Sequence, residues 1–85
     1  MIHELKIKQV YLIRILTGEK TFEIRKNDRD FQVDDCIKFL PLVDDNYNAY
    51  DVETPLPLFS IKYVLSGFEG LADGYVALGI SRDND

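Results

Sequence analysis

The sequence has one cysteine, one histidine, one methionine and no tryptophan among its 85 residues. A lone Cys36 cannot form an internal disulfide, so the chain must fold without that cross-link, as chains in a reducing cytoplasm do. A lone His3 with no second histidine or cysteine beside it argues against a zinc site, and neither a metal nor a cofactor is expected. No apolar run approaches the roughly 18 residues of a membrane span. Met1-Ile2-His3-Glu4 also lacks the charged and apolar regions of a signal peptide, so a cytoplasmic chain with no membrane partner is expected. Glycine-rich phosphate loops, G-x-S-x-G and a long DNA-reading helix are missing as well, which removes the commonest nucleotide-hydrolysing, esterase and helix-turn-helix readings. No internal repeat or low-complexity segment is present.

With 46% hydrophobic and 29% charged residues, the remainder is an ordinary globular composition. A chain of this length makes one domain with a small core, expected here over residues 1–81 with a frayed tail at 82–85. The net charge of −5 does not suit a nonspecific nucleic-acid coat. The average hides an asymmetry. Residues 1–29 carry seven basic against four acidic side chains, a net +3, whereas the remainder carries three against eleven, a net −8. Such a distribution can draw an anionic ligand to one place on an acidic body, although scattered charge that merely solvates the surface reads the same way.

The hydrophobic period changes along the chain. Glu4 to Lys8 alternates and predicts a strand with Leu5 and Ile7 inward and His3 on their side, the latter as a hydrogen-bonded core or cleft-lining residue rather than a general base. Val10, Ile13 and Leu16 recur at helical spacing and Gly18 is placed to end a short helix. Lys20 to Asn27 alternates again, which predicts Phe22 and Ile24 inward with Thr21, Glu23 and Arg25 on the other face. Asp28-Arg29-Asp30 and Asp34-Asp35 read as turns. A strand from Cys36 to about Val43 follows, and Pro41 places it at an edge or bulge. Cys36 then acts as a small structural hydrophobe. Residues 44–57 read as a long loop or ragged hairpin, in which Tyr47 and Tyr50 could stack on bases or cover one end of the fold. Phe59, Ile61, Tyr63 and Leu65 alternate through a further strand, and Gly74 to Ile80 makes the last. Five or six short strands with one or two short helices predict an α+β, mostly β pseudo-barrel.

The segment Gly18-Glu19-Lys20-Thr21-Phe22-Glu23-Ile24-Arg25 carries G-x-K-T-x-E-x-R after a short helix. This resembles the signature of the activating signal cointegrator homology (ASCH) domains of the PUA-like superfamily. His3-Glu4-Leu5-Lys6, KTFEIRKNDRDFQV and the Gly74-Tyr75-Val76 strand extend the likeness to a compact bacterial and phage branch of that group. The resemblance implies a PUA-like pseudo-barrel with a cleft beside the motif strand, and a role in binding RNA or a modified nucleoside. Relatives usually have glycine in the turn after Phe-x-Val where this chain has Asp34, so a differently built turn is expected there.

Thr21, Glu23 and Arg25 at i, i+2 and i+4 offer a hydroxyl, a carboxylate and a guanidinium to one ligand. Arg25 could contact phosphate or a base edge, Glu23 could accept from an exocyclic amine, and Lys20 could act as a point charge. Lys26 and Arg29 would assist electrostatically. The plainer reading of the same row is an exposed face on which Glu23 and Arg25 simply pair. A related small ASCH enzyme deacetylates acetylated cytidine with a lysine, a threonine and a glutamate. Only its lysine is matched, by Lys20, and Glu23 stands where its threonine falls. The expectation is therefore a binding module, with a small amidohydrolase using Lys20 as one alternative. The other is a protein-interaction module using the motif strand or the 44–57 loop.

Overall fold

In the computed structural model, which describes residues 1–42 and 55–83, five strands form one curled sheet, a half-barrel around a single short helix. The elements are β1 (Ile2–Lys8), α1 (Gln9–Leu16), β2 (Phe22–Lys26), β3 (Cys36–Leu42), β4 (Phe59–Leu65) and β5 (Tyr75–Arg82). Their order across the sheet is β1-β3-β4-β5-β2, with β1 and β3 parallel and the remaining pairs antiparallel. The two outermost strands are therefore β1 and β2, joined in sequence through α1. Among the described residues, no helix is long and apolar enough to cross a membrane. The 44–57 loop, with Tyr47 and Tyr50, lies mostly outside the described residues.

The strict alternation of β1 buries His3, Leu5 and Ile7, as expected for a strand with one wet face. Parallel pairing sets them beside Ile37 and Phe39 of β3. From the helix come Leu12 and Ile15; from β4 and β5 come Phe59, Ile61, Val76, Leu78 and Ile80, and all of these meet in one core. The buried face of α1 is Gln9, Leu12 and Ile15, one position away from the predicted 10/13/16 stripe. Leu16 still packs on the core from the flank. Gly18 takes φ +86°, a left-handed conformation that lets the chain turn back after the helix.

Pro41 is accommodated because β4 reaches only the first two residues of β3, at Cys36 and Ile37. Beyond that point no described strand pairs with β3 on that side, where a residue without an N–H costs no ladder bond among the described residues. The alternation of β4 breaks at a bulge between Ile61 and Tyr63. Tyr63 therefore faces solvent at 62% exposure, and Val64 packs on the core in its place. Ser81 and Arg82, expected in or beside the tail, are strand residues. They pair with Ser60 and Phe59, and the Asp83 N–H donates to Leu58 O at 2.9 Å. Asp34 has φ 76°, so the turn keeps the left-handed backbone that glycine favours, and aspartate, whose side chain tolerates it, replaces glycine.

Candidate functional site

The register of β2 is opposite to the predicted one. Phe22 and Ile24 are 47% and 52% exposed, whereas Glu23 is 6% exposed. Pairing with β5 gives the reason. Glu23 lies opposite Leu78 and Arg25 opposite Val76, both fully buried, while Phe22 and Ile24 lie opposite Gly79 and Ala77. Large apolar residues of β5 fill the interior, and β2 sits at the open end of the sheet, where its inward positions meet a polar groove. Alternation separates the two faces of a strand without saying which one turns inward.

Glu23 is held on both sides. Lys20 Nζ donates to its Oε1, and Arg25 Nε donates to its Oε2 at 3.0 Å. Lys20 Nζ also donates to Phe22 O at 2.6 Å, and it lies 4.8 Å from the Phe22 ring centroid and 5.6 Å from that of Tyr11. The Arg25 Nη2 donates across to Lys6 O of β1 at 2.7 Å. A buried carboxylate with two cations and further bonds to carbonyls meets the condition for retaining charge inside a fold.

This cluster forms the floor of a groove of about 430 Å³ between β1 and β2, the outermost strands of the described sheet. Tyr11, Phe22 and Ile24 supply its apolar walls, and the exposed Lys6 and Lys8 stand at its rim. Among the described residues, four cations and one carboxylate line it.

Of the predicted site residues, Lys20, Glu23 and Arg25 come together in this groove. Thr21 lines a separate hollow, and Lys26 and Arg29 do not line the groove. Arg29 instead donates to Glu4 O at 2.8 Å, a second bond from the β2 side to β1. Lys6, Lys8 and Tyr11 were missed. Their signal was available in part, since Lys6 and Lys8 occupy the outward positions of β1, but nothing local shows that β1 faces β2 across a seam.

A second polar pair lies elsewhere. His3, 4% exposed, shares a hydrogen bond of 2.8 Å between its Nε2 and Asp35 Oδ2, and packs edge-on against Phe31 at 4.8 Å. That bond, helped by the Gln32 backbone N–H, holds the Asp35 carboxyl below the usual carboxylate range, against the opposing effect of its partial burial. His3 is thus a buried, hydrogen-bonded residue, as its inward parity predicts. Cys36 is a free thiol within β3. Among the described residues, no group of three or more histidine, cysteine, aspartate or glutamate side chains could hold a metal ion.

Residues 2–80 match the model of a family described as a domain of unknown function, DUF3850. The chain belongs to the DUF3850 family. Curated proteins offer no match. Among solved structures, the DUF3850 chain is similar to the crystal structure of the hypothetical protein PH0355, with a TM-score of 0.62 over 98% of this chain and 100% of that one. At 19% identity the likeness extends to the fold.

Proposed function

We propose that this DUF3850 chain is an ASCH-like member of the PUA-like superfamily that binds RNA or a modified nucleoside in the groove between β1 and β2. The observation that carries the reading is the buried Glu23 carboxylate, fixed by Lys20 and Arg25 beneath an aromatic-walled, lysine-rimmed groove. A base stacks against Tyr11 or Phe22, Glu23 accepts from its exocyclic amine, and Lys6 and Lys8 meet phosphate. The groove volume of about 430 Å³ falls within the range of roughly 300–1,000 Å³ usual for small-molecule sites. Binding is favoured over amide cleavage because Lys20 has two of its three donors engaged on Glu23 and Phe22 O.

Titration of single-stranded RNA and of free nucleosides, followed by NMR, tests the reading. With two exposed lysines contacting phosphate, the slope of log K against log salt should be near −1.4, at about −0.7 per phosphate. The Lys6→Ala, Lys8→Ala double variant should flatten that slope, and Glu23→Gln should reduce base preference. No binding at low salt would refute the reading and leave protein interaction in its place.

A further inference from the structure

We propose that the hollow on the far side of Lys20 is a second nucleotide subsite, so that the ligand is a strand of at least two linked nucleotides; this rests on the nucleotide reading of the first groove. The second hollow, of about 360 Å³, lies between the end of α1 and the end of β5. Lys20 lines both hollows. Thr21 shares the strand parity of Glu23 and Arg25, so a single row of side chains is divided between them, with Lys20 at the division. A ligand following that row passes from one hollow into the other.

The lining of the second hollow suits a phosphodiester. Its cations are Lys20 and Arg82, its hydroxyls are Thr17, Thr21 and Ser81, and among the described residues no carboxylate lines it. The Thr17 hydroxyl is already committed to Arg14 O and to Glu19, each at 3.1 Å, and Glu19 is itself paired with Arg14 at 2.7 Å. Thr21 and Ser81, both exposed, are the hydroxyls placed to donate to a ligand.

The carboxyl end of a helix ordinarily repels an anion. Here its last carbonyls are satisfied in turn. Thr17 N–H donates to Ile13 O at 3.0 Å, Lys20 N–H to Arg14 O at 3.0 Å and Gly18 N–H to Ile15 O at 3.2 Å, and the Arg82 guanidinium donates to Leu16 O at 2.9 Å. That last bond, with the Phe59 ring centroid 6.0 Å from the guanidinium carbon, fixes Arg82 before any ligand arrives. A positioned fork of this kind has most of its ordering entropy already lost, and it suits the two free oxygens of a phosphodiester.

Calorimetric titration of uridine 5′-monophosphate and of the 5′-phosphorylated uridine dinucleotide, at about 50 mM salt, tests the proposal. The dinucleotide should bind at least about tenfold more tightly, the gain expected of one added charge-assisted contact. Ser81→Glu and Thr21→Glu, which put a carboxylate into the second hollow at exposed positions, should abolish that advantage, and Ser81→Glu, on β5, should leave the mononucleotide affinity unchanged. Equal affinities for the two probes, or an advantage that survives both substitutions, would overturn the second subsite while leaving the first groove standing. Loss of mononucleotide binding in Ser81→Glu would also overturn it, because the two hollows would then be one site. Failure of both probes to bind the unaltered chain would remove the nucleotide reading itself, and the second subsite with it.

Discussion

Glu23→Gln preserves the shape of a buried side chain while removing the charge that two cations share. In the native fold, each carboxylate oxygen accepts from one cation, and Lys20 and Arg25 retain only 18% and 23% side-chain exposure. Hydrogen bonds to charged groups contribute about 1.5–3 kcal/mol each. Glutamine keeps one acceptor, and its amide must turn a donor toward either an ammonium or a guanidinium. At least one bond is therefore lost, and one cation is left partly buried without its partner, for an expected destabilisation of about 2–4 kcal/mol. Against the roughly 4–13 kcal/mol that a chain of this size can have, that is a large fraction. Urea unfolding followed by tyrosine near-ultraviolet circular dichroism should show a lowered midpoint at constant slope. Thermal unfolding should show a fall of roughly 10–30 °C. Lys20→Met, alone and combined with Glu23→Gln, should show coupling of about 1 kcal/mol or more. A Glu23→Gln protein within about 0.5 kcal/mol of the unaltered chain, with no coupling to Lys20, would refute the view that this cluster holds the end of β2 in place.

Leu12→Ala, which empties a fully buried position under the sheet, should cost about 2–5 kcal/mol, whereas Phe22→Ala at a half-exposed position should cost less than about 1 kcal/mol; chemical denaturation separates the two. Because the folded-state pKa of Asp35 lies below its unfolded value, its contribution to stability is present above about pH 4 and is lost as pH falls through the folded value. Asp35→Asn should therefore lower stability near neutral pH and flatten the acid limb of a profile measured between about pH 2 and 6, so that the two proteins converge at the acid end. Asp34→Gly relieves a non-glycine residue at φ 76° and should raise stability by up to about 1 kcal/mol, offset in part by the added freedom of the unfolded chain; thermal unfolding reads the sign.

The strands and the helix were legible because each follows a period that burial imposes, and Gly18 marked the helix end through its conformational freedom. The inward side of β2 was not legible. Its apolar positions are Phe22 and Ile24, and hydrophobicity assigns them to the core, but the core is filled from β5 and the inward space opens on a groove. Glu23 and Arg25 can turn inward only because they neutralise each other, a property of the pair that no single position displays. The bulge that exposes Tyr63 was hidden for a related reason, since one inserted residue reverses parity without changing composition. As for the groove, Lys20, Glu23 and Arg25 were found through their motif. Lys6, Lys8 and Tyr11 required knowledge that β1 and β2, at opposite ends of the strand order, curl to face one another.

That facing seam has no backbone ladder, and its bonds run through side chains. Arg25 and Arg29 donate to Lys6 O and Glu4 O, two carbonyls on the outer edge of β1. An unpaired strand edge is a template on which a second chain can add a strand, and carbonyls already engaged by guanidinium groups are poor acceptors for one. The two arginines thus leave this edge of β1 two fewer free acceptors for an added strand, and removing either guanidinium returns one carbonyl to that edge.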